Sequence, residues 1–205
     1  VHEVLGHRTE GQRQKDDDEG QTFTDKIGER VLPPFVSVVD DPTVATYAGE
    51  ALNGHYRFDQ EGIPAQRAVL VEDGVFKGFL MSRSPIEGFD RSNGHGRAQT
   101  RRQPVARMAN TILQTTDPRP AAELRKTLLA EVKRQGRSYG LLVDEIDGGF
   151  TLTGRVMPNA FNVRAVTAWK VYPDGRPDER VRGVDLGGAP LAALSNVIGV
   201  GDDPA

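Results

Sequence analysis

Apolar residues along this 205-residue chain come in short bursts, with one helical stripe among them. The run Phe35-Val36-Ser37-Val38-Val39, rich in β-branched side chains and closed by Asp40-Asp41-Pro42, predicts a strand and a turn. Residues 68–72 and 75–80 are two strand-like runs joined by Asp73-Gly74, the dipeptide favoured by a two-residue type I′ turn because both positions need positive φ. A hairpin is therefore predicted there. Residues 84–107, rich in Gly, Ser, Asn, Gln and Arg, predict irregular chain. The helical stripe runs through Ala121, Leu124, Leu128, Leu129 and Val132, with Asp117 as cap, Pro118 at the first position and Gly136 as the stop. Two further hairpins are expected, residues 139–143 with 150–156 around Asp147-Gly148-Gly149, and residues 163–172 with 180–186 around Pro173-Asp174-Gly175. Trp169 and Tyr172 then read as core or sheet-face residues, and Leu191, Leu194, Val197 and Ile198 after Pro190 predict a short final helix. Residues 1–5 read as the end of a helix interrupted by Gly6, and residues 8–30 as a solvated polar loop. The whole is an α+β pattern, predominantly antiparallel sheet with a few helices.

Composition narrows the function. The 23 Gly and 13 Pro favour turns and short strands. The absence of Cys excludes a disulfide-stapled module, a zinc ribbon and a thiol nucleophile carried on this chain. A net charge of -3 gives no global reason to expect nucleic acid or an anionic membrane as partner. No apolar run approaches the roughly 18 residues needed to span a bilayer. The contiguous run Asp16-Asp17-Asp18-Glu19 lacks the alternate spacing of a calcium loop. The length suits one domain with a sizeable core. Opening on Val1, with neither Met nor a signal pattern, the chain is expected to be part of something longer.

The candidate chemistry lies in His2-Glu3-Val4-Leu5-Gly6-His7. In HExxH sites the two imidazoles hold zinc and the adjacent carboxylate acts on water. Here the spacing is one residue longer, so on a regular helix the rings diverge by roughly 140° at about 100° per residue. Both reach one ion only where the helix ends or bulges, and Gly6 allows that most easily. The plainer alternative is a pair of surface histidines at a frayed helix end. His55 and His95 are either replacement third ligands, His95 the better placed in its Gly loop, or solvent-facing loop residues. Arg91, Arg97, Arg101, Arg102 and Arg107 occupy a stretch without acidic residues. That stretch suits phosphates, peptide carboxylates or plain solvent; with no aromatic between residues 90 and 138, a stacking platform for nucleic acid is missing, which argues against such a partner.

The motif and its context resemble the TldD-like, HExxxH-bearing branch of the TldD/PmbA metalloproteases. Carrying the resemblance are His2-Glu3-x-x-Gly6-His7 with Glu10-Gly11, then Ser37-Val38-Val39-Asp40-Asp41-Pro42-Thr43, and Asp59-Gln60-Glu61-Gly62-Ile63-Pro64-Ala65 leading into the predicted hairpin. Arg107-Met108-Ala109-Asn110-Thr111 and Gly148-Gly149-Phe150 follow in the family's order, so the likeness covers almost the whole chain. The resemblance implies a zinc peptidase in which His2 and His7 are metal ligands and Glu3 is the general base. It implies unfolded or short peptides held as an added strand, and a cytoplasmic dimer, either of two copies or with a motif-less PmbA/TldE-like subunit. It also implies a separate N-terminal domain and a third ligand, a cysteine after a segment like residues 194–202. Residues 1–205 are thus expected to be most of the C-terminal metallopeptidase domain, lacking both extremes and inactive in isolation. The competing expectation is a noncatalytic peptide-binding or assembly subunit of the same family.

Overall fold

A computed structural model describes residues 2, 4–15, 23–152 and 160–203. The strands in chain order are β1 (Val36–Asp40), β2 (Thr46–Tyr47), β3 (Glu50–Ala51), β4 (Ala68–Glu72), β5 (Val75–Phe76), β6 (Gly96–Arg97) and β7 (Val105–Ala106). Beyond them come β8 (Thr111–Thr115), β9 (Pro118–Arg119), helix α1 (Ala121–Arg134), β10 (Gly140–Leu152), β11 (Ala160–Val171), β12 (Glu179–Val181), β13 (Asp185–Gly188), helix α2 (Pro190–Ser195) and β14 (Val200–Gly201). The architecture is α+β and mainly antiparallel, as the sequence predicts; the single parallel pairing among the named strands joins β14 to β9.

Two sheets organise the chain. The first has the order β5-β4-β1-β8, so β1 lies inside and β8 forms an edge. The predicted hairpin is present: Asp73 and Gly74 take φ of 47° and 80° between β4 and β5. Gly74 is needed twice over, because a Cβ there would also lie 2.2 Å from the Leu32 carbonyl oxygen. Val36, Val38, Leu70, Val71, Phe76 and Leu80 are buried in one core cluster with Leu5, Phe23 and Leu32. The Phe76 ring packs against Phe23 and Phe79 at centroid distances of 4.9 and 5.1 Å.

The second sheet is built on a long ribbon of β10 and β11, with β12 and β13 both paired to the far side of β11. Here the sequence reading needs correction. The pieces expected as hairpin arms around Gly148 belong to one strand, β10, which absorbs its glycines as register irregularities opposite β11; residues 153–156 of the second arm lie outside the described residues. The expected helix start also moves. Pro118 and Arg119 pair with β14 instead, and α1 begins after Pro120 with no side-chain cap. Its end is as predicted, at Gly136 with φ 65°. The helix lies on β10 where Gly140 leaves room; a Cβ there would sit 2.8 Å from Val132.

Candidate metal centre

No α-helix carries the motif among the described residues. His2, Val4 and Leu5 lie in turns, and two 3₁₀ segments follow, Gly6–Thr9 and Gly11–Gln14. This departure from α geometry is what an i, i+5 pair requires. The Nε2 atoms of His2 and His7 approach to 3.0 Å, with ring centroids 4.6 Å apart and planes at 85°. Gly6 permits the path for a reason beyond backbone freedom: a Cβ there would fall 1.9 Å from the Met108 sulfur.

Glu10 fixes which His7 nitrogen is available. Its carboxylate is fully buried and accepts from His7 Nδ1 at 2.9 Å, Arg13 Nε at 2.5 Å and Arg107 Nη1 at 3.0 and 3.1 Å. Burial pushes the Glu10 carboxyl up, but the hydrogen bonds from His7 and Arg13 and the charges of Arg13 and Arg107 outweigh it, holding the group below the usual range. An ionised Glu10 only accepts, so it places a proton on His7 Nδ1; in the neutral ring this leaves the lone pair on Nε2, the nitrogen turned towards His2.

The residues after the motif, expected to be solvated, are instead buried: Arg8, Thr9, Glu10 and Gly11 are all inside. Their polarity misled because the buried charges are met inside by partners that include groups far away in sequence. Arg8 is 1 % exposed and its guanidinium donates to the carbonyls of Val4, Leu152 and Ala160 at 3.3–3.4 Å, tying the motif to the end of the β10–β11 ribbon. Leu80 N donates to Thr9 O at 2.8 Å, and Gly11 N donates to Leu80 O at 2.9 Å. The Gln12 amide exchanges bonds with the Ala106 backbone at 2.6 and 3.0 Å. The segment is thus woven into the first sheet's surroundings.

These residues fit a metal ion. Two imidazole ligands on a tetrahedral zinc with Zn–N of about 2.0–2.1 Å stand about 3.3 Å apart, close to the separation seen. The carboxylate behind His7 is the outer partner that metal-ligating histidines usually have. Glu10 appears in the sequence only as part of the motif's context; spacing alone gave it no role. Glu3 lies outside the described residues. Among the described residues, no group of three or more His, Cys, Asp and Glu side chains forms a ligand set.

Neither other histidine joins the pair. His95, expected in a flexible loop, is completely buried: its Nε2 lies 3.2 Å from Asp40 Oδ1 and its Nδ1 lies 3.0 and 2.9 Å from Asn93 O and Oδ1. It is a core histidine, and Asp40 also accepts from Ala109 N and Thr111 Oγ1 at 2.9 and 2.6 Å. His55 is exposed, with Nδ1 2.9 Å from the Pro42 carbonyl.

The arginine stretch is not plain solvated loop. Arg97, Arg101, Arg102 and Arg107 line a hollow of about 770 Å³ whose wall includes Met108. A second hollow, of about 810 Å³, follows the edge strand β8 and is closed on its other side by residues 200–203. One continuous segment, residues 105–115, passes from the first hollow, beside Gly6 and Glu10, to the second.

Comparison with known proteins bears on this geometry. Residues 1–205 match the family model described as the PmbA/TldA metallopeptidase C-terminal domain. A metalloprotease of Methanocaldococcus jannaschii is 30% identical over 99% of the chain, and one of Methanothermobacter thermautotrophicus is 32% identical over 99%. The chain spans only 41% and 40% of these two relatives. In fold it is similar to TldE from Thermococcus kodakarensis, with a TM-score of 0.65, 20% identity and coverage of 96% of this chain and 40% of that one. A Thermotoga maritima protein solved under the provisional name of DNA gyrase modulator gives 0.68, 24% identity, and coverage of 98% and 42%.

Proposed function

Because the chain belongs to the PmbA/TldD metallopeptidase family, we propose that residues 1–205 are most of the catalytic domain of a zinc peptidase acting on unfolded or short peptides. The convergence of the His2 and His7 Nε2 atoms, with Glu10 behind His7, carries this reading. His2 and His7 would hold the ion; when bound, zinc supplies Lewis-acid polarisation of a peptide carbonyl and brings the pKa of water towards neutrality. Glu3 takes the proton as general base. Glu10 keeps the His7 proton on Nδ1 and the ring aimed. The peptide lies as an added strand against the open edge of β8, where backbone groups of residues 111–115 give affinity with little sequence preference. The third donor in this reading is the cysteine that the family resemblance implies, beyond Ala205.

The protein works in the cytoplasm as a dimer, with a second copy or with a PmbA/TldE-like subunit. No described helix is long and apolar enough to cross a membrane. The test uses the full-length protein. Glu3→Gln is expected to abolish hydrolysis of an unstructured peptide while zinc content is unchanged, and His2→Ala to lose the zinc. Retained hydrolysis in Glu3→Gln removes the base assignment. Peptide affinity without any bound metal in the parent protein favours the noncatalytic binding subunit instead.

A further inference from the structure

The arginine-lined hollow shares two wall residues with the candidate metal centre. Met108 is also the residue whose sulfur closes on Gly6, and Arg107 also donates to Glu10. Among the described residues no acidic side chain lines the hollow, so the described lining is charged in one sense only. The four arginines differ in what they already hold. Arg107 is engaged by Glu10, and Arg97 lies over the Tyr56 ring at 4.6 Å. Arg101 and Arg102 are exposed, and their guanidiniums make no hydrogen bond or ion pair with a described residue.

Their backbone is also unusual. Arg101 takes φ of 65°, in the left-handed region that L side chains rarely adopt, inside a turn closed by Arg102 N donating to Gln99 O at 2.9 Å. A strained turn that sets two unengaged guanidiniums on a concave, uniformly cationic wall matches a planar anion, because guanidinium and carboxylate meet through paired hydrogen bonds. Among the described residues the lining offers no aromatic face to stack a base, and the chain as a whole is acidic, which favours a single carboxylate over a polynucleotide.

We propose that this hollow is a subsite for a carboxylate of the bound peptide, either its C-terminal group or an Asp or Glu side chain, with Arg101 and Arg102 as the residues that select it. The proposal rests on the peptidase reading above, and it adds charge selectivity to a binding mode otherwise indifferent to sequence. Fluorescence anisotropy with labelled peptides on the full-length protein tests it through binding, separately from turnover. Three peptides suffice: one with a free C-terminus and one acidic side chain, its C-terminal amide, and its Asp→Asn version.

Losing the recognised carboxylate is expected to weaken binding about tenfold, and which neutral version suffers identifies the source. In Arg101→Gln with Arg102→Gln, both exposed and so tolerated by the fold, the three peptides should bind alike at the level of the neutral one. The preference should also fade between about 0.1 and 1 M salt, where the screening length falls from about 10 to 3 Å. Equal affinity for all three peptides in the unsubstituted protein overturns the subsite and leaves the peptidase reading standing. A preference that survives the double substitution overturns the arginine assignment. Absence of any peptide binding overturns both readings, and steeply salt-dependent duplex DNA binding lost in the double variant, without carboxylate preference, replaces the subsite by a nucleic-acid contact.

Discussion

The first sheet and the β10–β11 ribbon are both antiparallel, yet they treat apolar residues in opposite ways. β1, β4 and β5 bury Val36, Val38, Leu70, Val71 and Phe76 against chain segments from both sides in sequence. The ribbon and its flanking strands instead turn Leu141, Leu142, Ile146, Phe150, Val166 and Leu186 outward, with Phe150 56% exposed. The candidate site belongs to the first kind of region. Its imidazoles lead into a segment, residues 8–11, whose charged side chains are answered inside, and Arg8 joins that segment to the ribbon's end. Positional accuracy at His2 and His7 therefore draws on the buried sheet, whereas the ribbon contributes two carbonyl acceptors.

Substitutions should separate the two regions. Phe76→Ala removes a ring packed on Phe23 and Phe79 and is expected to destabilise the protein by about 3–5 kcal/mol, read from denaturant unfolding. Asp40→Ala strands the bonds from His95, Ala109 N and Thr111 in a buried place and should cost about 3 kcal/mol. Glu10→Gln leaves the imidazole pair but loses its charged partner; zinc affinity of the full-length protein should fall about 10–100-fold by competition with a chelating dye. Tyr56 provides a pH test. Burial, opposed by Arg97 and assisted by Asp40 and Asp59, pushes its phenol up to about 12. The unfolded chain ionises near the ordinary value of about 10, so in that window the folded state binds more protons and stability falls as pH rises from about 10 to 12. An ultraviolet titration should show a late phenol near that value that is lost in Tyr56→Phe. The smallest effect is expected in the ribbon, where Phe150→Ser should change stability by no more than about 0.5 kcal/mol. A loss comparable to that of Phe76→Ala would erase the distinction between the regions.

Much of the first sheet was legible because its signals are local. The β-branched run gave β1, and Asp73-Gly74 gave the turn that its positive φ angles require. The ribbon was misread for the opposite reason: Gly148 is a turn residue by local rules, and only pairing to β11 over twelve residues makes it part of a strand. Long-range pairing likewise took Pro118 from α1. At the site, the spacing correctly required a non-α path between His2 and His7, whereas the burial of residues 8–11 was hidden by their polarity. Arg8, Glu10 and Arg107 are charged residues whose partners lie up to 152 positions away, and no local pattern reveals such matches. His95 failed as a ligand candidate because its glycine neighbours suggest mobility, while Asp40 and Asn93 hold it in the core.

The central claim is that His2 and His7 form one metal site, and metal analysis of the full-length protein tests it most directly. The account predicts stoichiometric zinc in the unsubstituted protein and in Glu3→Gln, with near-complete loss in both His2→Ala and His7→Ala while the fold, followed by circular dichroism, is kept. Zinc retained at full stoichiometry in either folded histidine variant would contradict it.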